Sequence, residues 1–229
     1  MSDIKLVIFD CDGVLMDSEI VAAAAELEVY SEYGVEMTAK EFAERFAGLD
    51  AAKVKARMEE ELGRELPDTV VPDTRKLVNE KTGKEAAMIP DADTVLDRLD
   101  QARCVCSNSP VIRLEQMLTR VGLYDRFKPY IFSAQAIQPP IFKPRPDLFL
   151  NAMEEFEASP TETLVVEDSV HGIHGAVAAG CRIVGFTGAS HTYPTHADDL
   201  IEAGAETVIN RMSELPSVVE AFSGWGGIH

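Results

Sequence analysis

Positive charge is scarce in this chain: 21 Lys and Arg stand against 39 Asp and Glu, a formal net charge of -18 over 229 residues. Such a surface repels nucleic-acid backbones and anionic membranes at long range, so neither is expected as a partner. Cysteine is sparse too. Cys11, Cys104, Cys106 and Cys181 show neither paired CxxC spacing nor the density of a secreted disulfide scaffold. Cys104 and Cys106 flank Val105 in an apolar run, which reads as buried, reduced thiols. The apolar segment near the N-terminus stops at Asp10, too short for a signal core or a membrane span. These absences together point to the cytoplasm. No repeat or low-complexity segment occurs, and a 46% hydrophobic composition with dispersed charge excludes a disordered chain. The length suits one or two domains.

What is present is a series of short apolar runs. Leu6-Val7-Ile8-Phe9 is bounded by polar residues, as in a strand buried on both faces of a parallel sheet. Arg103–Cys106, Tyr130–Phe132, Leu164–Val166, Ile183–Phe186 and Thr207–Ile209 repeat the pattern. Between them run helical stripes: Val111, Leu114, Met117, Leu118 and Val121, then Phe149, Ala152, Met153 and Phe156 behind Pro146. Alternating strands and helices predict an open α/β, Rossmann-like parallel sheet with ligands beyond the carboxyl ends of its strands.

One interval breaks the alternation. A crossover between neighbouring parallel strands takes a few dozen residues, and the stretch from Phe9 to Arg103 is far longer. Ile20, Ala23, Ala24, Leu27 and Tyr30 share a helical face, as do Ala51, Val54, Met58 and Leu62, and a further helix is expected after Pro67. Residues 17–86 therefore read as an inserted helical domain, leaving 1–16 and 87–229 as a discontinuous α/β core.

Chemistry concentrates at the strand ends. Asp10 and Asp12, in Asp10-Cys11-Asp12-Gly13, follow the first strand, and alternation on extended chain points both side chains to one side. That suits a nucleophile and its acid–base partner, and equally a simple turn. Ser107-Asn108-Ser109-Pro110 offers hydroxyl and N–H groups at a helix start, an anion site or an ordinary cap. Lys143 sits in the rigid Lys143-Pro144-Arg145-Pro146 segment, as a placed cation or a solvated lysine. Glu167 and Asp168 end another strand, where adjacent acids call for a hard cation.

In order and position these elements resemble the four motifs of the haloacid-dehalogenase-like hydrolases. The Asp-x-Asp-Gly-Val-Leu-x-Asp-Ser-Glu opening and the Lys-Pro-x-Pro-Asp segment are similar to the subgroup of small-molecule phosphatases and β-phosphoglucomutase, whose helical cap is inserted after the first motif; residues 17–86 match that cap. The resemblance implies a Mg²⁺ cofactor and a small phosphorylated metabolite as substrate, a sugar or sugar-acid phosphate among the options; apart from it, a monomer or weak homo-oligomer is expected. It makes Asp10 the nucleophile that becomes an aspartyl phosphate, and Asp12 the acid–base partner. Ser107, Asn108, Lys143 and Gly13 would bind phosphate, while Asp10, Asp12 through its carbonyl and Asp168 would bind metal, with Glu167 a further ligand or the group that orients metal-bound water. A phosphate at roughly 4 Å from a carboxylate is opposed by about 4 kcal/mol per charge pair at an effective dielectric of about 20, so Mg²⁺ and Lys143 must reverse that sign.

The resemblance also separates activities. Dehalogenation in the family does without the second aspartate and the metal, whereas Asp12, Glu167 and Asp168 are present. A β-phosphoglucomutase-like mutase carries a cap-hinge histidine and a cap-loop arginine; Glu19–Ala23 and Gly48–Ala52 contain neither. Hydrolysis is therefore expected over mutation. A phosphoacceptor domain without turnover needs neither Asp12 nor a lid. Four weaker features read both ways. His171 and His174 are ligands or helix surface, and Gly172 and Gly175 permit close packing or bind phosphate. The loop 188–193 is a site border or plain surface, and Lys53 and Arg57 receive an anionic tail or face solvent.

Overall fold

The computed structural model describes residues 3–46 and 49–224. Its elements in chain order are β1 (Leu6–Phe9), β2 (Met16–Asp17), α1 (Glu19–Ser31), α2 (Ala39–Phe46), α3 (Ala51–Leu62), α4 (Val70–Glu85), β3 (Ala87–Met88), α5 (Ala92–Arg98), β4 (Ala102–Ser107), α6 (Val111–Arg120) and α7 (Tyr124–Phe127). There follow β5 (Ile131–Ser133), α8 (Asp147–Glu155), β6 (Thr163–Glu167), α9 (Val170–Ala179), β7 (Arg182–Phe186), α10 (His196–Ala203), β8 (Thr207–Ile209) and α11 (Leu215–Gly224).

Six strands form one parallel sheet in the order β5-β4-β1-β6-β7-β8. β1 is the pivot of that order, pairing Leu6 with Ala102 on one side and with Thr163 on the other. Successive side chains of a strand point to opposite faces. Val7 and Phe9 accordingly join a core with Leu114, Met117 and Leu215, while Leu6 and Ile8 join a second with Phe149, Ile173 and Ile183. All four β1 side chains are fully buried, which explains the unbroken apolar run. All four cysteines are free; Cys11, Cys104 and Cys106 are buried and Cys181 partly so. No helix among the described residues is long and apolar enough to cross a membrane.

The long interval after β1 holds four helices with a core of their own, centred on Tyr30, Phe42, Phe46, Val54, Met58 and Val70. Chain enters and leaves this helical segment through β2 and β3, which pair antiparallel with Met16 opposite Met88 and Asp17 opposite Ala87. Two-residue strands are too short to show periodicity, so this ribbon was not foreseen. The α1 face also differs from its predicted stripe: Ala23, Ala25 and Tyr30 are buried and Ala24 is exposed. α1 packs against both α2 and α4, and two neighbours bury a broader arc than one stripe describes. Gly48, which opens the second of the stretches compared with the mutases, lies outside the described residues.

Phe127 is 1% exposed and meets Phe9 edge-on, with ring centroids 5.9 Å apart. Phe127→Ala should therefore destabilise the fold by about 3–5 kcal/mol in urea unfolding; a loss under about 1 kcal/mol would show that this contact does not support β1.

Candidate active site

Because β1 lies between β4 and β6, the loops leaving all three strands meet beyond their carboxyl ends. This is the crevice where strand order reverses, the expected ligand position in an open α/β sheet. Asp10 leaves β1, Ser107 ends β4, Glu167 ends β6 and Asp168 follows it. Lys143 arrives from the segment before α8, with Lys143 N donating to Asn108 Oδ1 at 2.9 Å.

Lys143 is the electrostatic centre. Its ammonium donates to Asp10 Oδ1 at 2.5 Å, to the Cys106 carbonyl at 2.7 Å and to the Glu167 carboxylate. Three donors thus meet three acceptors, as a buried ammonium requires. The Lys143 side chain is 3% exposed, with Asp10 at 10% and Glu167 at 1%. Burial disfavours the charged lysine, but Asp10 and Glu167 outweigh it and hold Lys143 firmly protonated. Asp10 is pushed well above the usual carboxylate range by burial, which Lys143 opposes and the nearby Glu167, Asp168 and Asp12 reinforce.

Asp12 has different company. It accepts from Ser18 Oγ at 2.7 Å, Ser107 Oγ at 3.2 Å and Ser109 Oγ, and pairs with Arg113 at 3.1 Å. Burial alone would raise its pKa; the Arg113 guanidinium and the serine hydroxyls overcome that and hold it below the usual range. Neighbouring carboxylates driven apart in this way are suited to different roles in one reaction.

Asp168 is fixed from two sides. His191 Nε2 lies 3.1 Å from Asp168 Oδ2, and His196 Nε2 lies 2.6 Å from the Asp168 carbonyl. Gly13, at φ +78°, leaves space that no side chain can use, since a Cβ there would lie 1.9 Å from Asp168 Oδ2. The Gly13 N–H donates to the Met16 carbonyl at 2.7 Å. It is thus engaged within the turn, and Gly13 supplies room beside Asp168.

The sequence placed Asp10, Asp12, Ser107, Asn108, Lys143 and Asp168 together, and all six border one cavity of about 580 Å³. Glu167 does not line that cavity. Its carboxylate accepts from Lys143 and from Ser169 Oγ at 3.0 Å, and lies close against α9, where a Cβ at Gly172 would come within 2.0 Å of it. Gly172 and Gly175 both serve close packing: a Cβ at Gly175 would lie 3.0 Å from the Phe149 ring. His174 is exposed, as is His171, which borders the cavity. Lys53 is solvated beside Asp50 at 3.2 Å, and neither it nor the exposed Arg57 borders the cavity.

Sequence reasoning missed Arg113, Ser109 and His196, and left His191 in a loop of open purpose. Ser109 stood within the quoted helix-start segment, and its spacing of two from Ser107 was the available signal. Arg113 lay between the apolar positions of the α6 stripe, which describe only the opposite face.

Among the described residues no group of three or more His, Cys, Asp or Glu side chains converges as a metal cage. The donor set still fits Mg²⁺, which uses one or two carboxylates and keeps several waters. Asp10 and Asp168 supply hard oxygens near one another, and their repulsion, which adds to burial in raising the Asp10 carboxyl, is what a cation offsets.

A family model described as haloacid dehalogenase-like hydrolase matches residues 7–186. The chain is 28% identical over 226 residues to 6-phosphogluconate phosphatase of Escherichia coli K12, covering 98% of each. Among solved structures it is similar to a conserved haloacid dehalogenase-like protein of unknown function from Agrobacterium tumefaciens, with TM-score 0.90, 48% identity, and 95% and 98% of the two chains covered. It is also similar to a HAD family hydrolase from Deinococcus radiodurans with bound phosphate and sodium, with TM-score 0.83, 27% identity and 97% of each chain covered.

Removing a partner from a buried ion pair strands the other charge. Lys143→Met should therefore cost about 3–5 kcal/mol of stability, and adding Glu167→Gln should recover part of it. Urea unfolding of both variants checks this; equal losses in the single and double variants would contradict the pairing.

Proposed function

The chain belongs to the haloacid dehalogenase-like hydrolase family and is a phosphoric monoester hydrolase, and we propose that it is a Mg²⁺-dependent phosphatase of a small, sugar-like phosphorylated metabolite, working through an aspartyl phosphate on Asp10. The observation that carries this reading is Asp10 at the end of β1, held 2.5 Å from buried Lys143 on a cavity that α1 and α2 also line.

Asp10 is the nucleophile. One of its carboxylate oxygens bonds to phosphorus as the bond from phosphorus to the leaving oxygen breaks, and Asp12, ionised in the free site, relays to that oxygen the proton that the monoanionic ester brings. In the second half Asp12 takes a proton from water, the water oxygen bonds to phosphorus, and the bond from phosphorus to Asp10 breaks to release phosphate. Lys143 and Ser107 hold the transferring group, so the charge that grows there meets donors already in place. Glu167 keeps Lys143 aimed, and His191 keeps Asp168 aimed. Mg²⁺, held by the Asp10 and Asp168 carboxylates and the Asp12 carbonyl, supplies positive charge that offsets the arriving phosphate and keeps Asp10 ionised.

Residues 17–86 act as the cap over the core formed by 1–16 and 87–229, with the cap face choosing the leaving group. Water is the acceptor: Glu19–Ala23 offers no histidine and Leu49–Ala52 no arginine to retain a phosphosugar while it turns over in the site.

Phosphate release from p-nitrophenyl phosphate should stop on chelation with EDTA and return with Mg²⁺. Asp10→Asn should abolish both release and acid-stable labelling of the protein by a phosphoryl donor. Asp12→Asn should lower kcat by about 10²–10⁴-fold. Persistent labelling of the Asp10→Asn variant would overturn the assignment of the nucleophile.

A further inference from the structure

The cavity has a second end, away from the carboxylates at the strand termini. There α1 presents Glu26, seven residues and about 10 Å of helix beyond Glu19. The surrounding walls are apolar, formed by Ala22, Phe42, Phe46, Leu49 and Val54. The Phe42 and Phe46 rings pack 4.7 Å apart behind this surface.

No cation among the described residues answers Glu26. Burial alone pushes its carboxyl up to about 7, with no neighbouring base or hydrogen-bond donor holding it down. Of the cavity's two permanent cations, Lys143 is committed to Asp10 and Glu167, and Arg113 to Asp12 and Ser109. Ala47 and Gly48, outside the described residues, bring no charged side chain. Acceptor capacity inside an apolar wall is therefore waiting for a donor, and the low local dielectric makes it hostile to an anion.

Resting on the phosphatase reading, we propose that Glu26 is a specificity-determining residue, which selects a leaving group whose far end donates hydrogen bonds and carries no negative charge. A phosphorylated polyol fits, with its phosphate at Asp10 and its terminal hydroxyl at Glu26. A sugar-acid phosphate of the same length sets a carboxylate against Glu26, while Lys143 is held by Asp10 and Glu167 and Arg113 is paired with Asp12. The chain thereby differs in preference from the 6-phosphogluconate phosphatase to which it is similar.

Glucitol 6-phosphate and 6-phosphogluconate test this directly, because they share a carbon skeleton and differ only in having a hydroxymethyl or a carboxylate at the far end. At about pH 8, where Glu26 is ionised, the native enzyme with Mg²⁺ should show kcat/KM at least about tenfold higher for the polyol. Glu26→Gln, checked for folding by its thermal transition, should narrow that ratio chiefly by improving the sugar acid. Equal or better hydrolysis of 6-phosphogluconate by the native enzyme overturns the proposal without touching the phosphatase reading, as does an unchanged ratio in a folded Glu26→Gln variant. Absence of turnover on either ester and on p-nitrophenyl phosphate overturns both.

Discussion

A lysine ammonium clasped by two carboxylates out of reach of water is the arrangement on which the rest of this molecule turns. Each of Lys143, Asp10 and Glu167 would be costly to bury alone, and together they are tolerable because the ammonium has an acceptor for every proton. The three come from β1, the end of β6 and the segment before α8, so their contact also fixes how those pieces meet. Strand order does the remaining alignment. A central strand paired on both sides brings the loops after β1, β4 and β6 to one crevice, where strand order reverses between β1 and β6. The Phe149 ring, 5.2 Å from Lys143 Nζ, closes the site from the core side and ties the charge cluster to apolar packing.

That coupling explains which features could be read in advance. Residues whose role follows from strand position were legible: an apolar run ending in Asp, Ser or Glu-Asp places those side chains at the carboxyl edge whatever packs around them. The alternation of strands and helices, and the overlong interval after β1, likewise exposed the sheet and the inserted helices. Residues whose role depends on how one helix or loop leans against another were not legible. Arg113 reaches Asp12 only because α6 starts beside the site, and His191 and His196 reach Asp168 only because the loop after β7 folds back over β6. Glu167 is a different case. Its strand-end position was read correctly, but adjacency to Asp168 suggested a shared task, while alternation along an extended chain sends neighbours to opposite sides. Glu167 turns to Lys143 and α9, and Asp168 to the cavity.

The two ends of the cavity divide the work by charge. At the sheet, acids, lysine and serine hydroxyls form a strongly polar floor whose groups are almost all engaged with one another. At the helices, hydrophobic walls surround a carboxylate that engages no charged group among the described residues. The acidity of the whole chain, unhelpful for attracting a phosphate ester, is thus carried into the cavity itself. The floor balances it locally with Lys143 and Arg113, whereas the roof leaves it unbalanced.

The short ribbon of β2 and β3 sets the terms on which that roof is attached. Asp17 and Ala87 stand opposite one another, so the segment leaves and rejoins the sheet at neighbouring points. Antiparallel partners lie about 5 Å apart, a gap that a tight turn spans as readily as a long helical excursion. Lengthening such a closed excursion adds little entropy cost, only about 0.6 kcal/mol for each doubling. The sheet is therefore nearly indifferent to what occupies the interval, and a lineage built on it is free to exchange one roof for another while the floor stays the same.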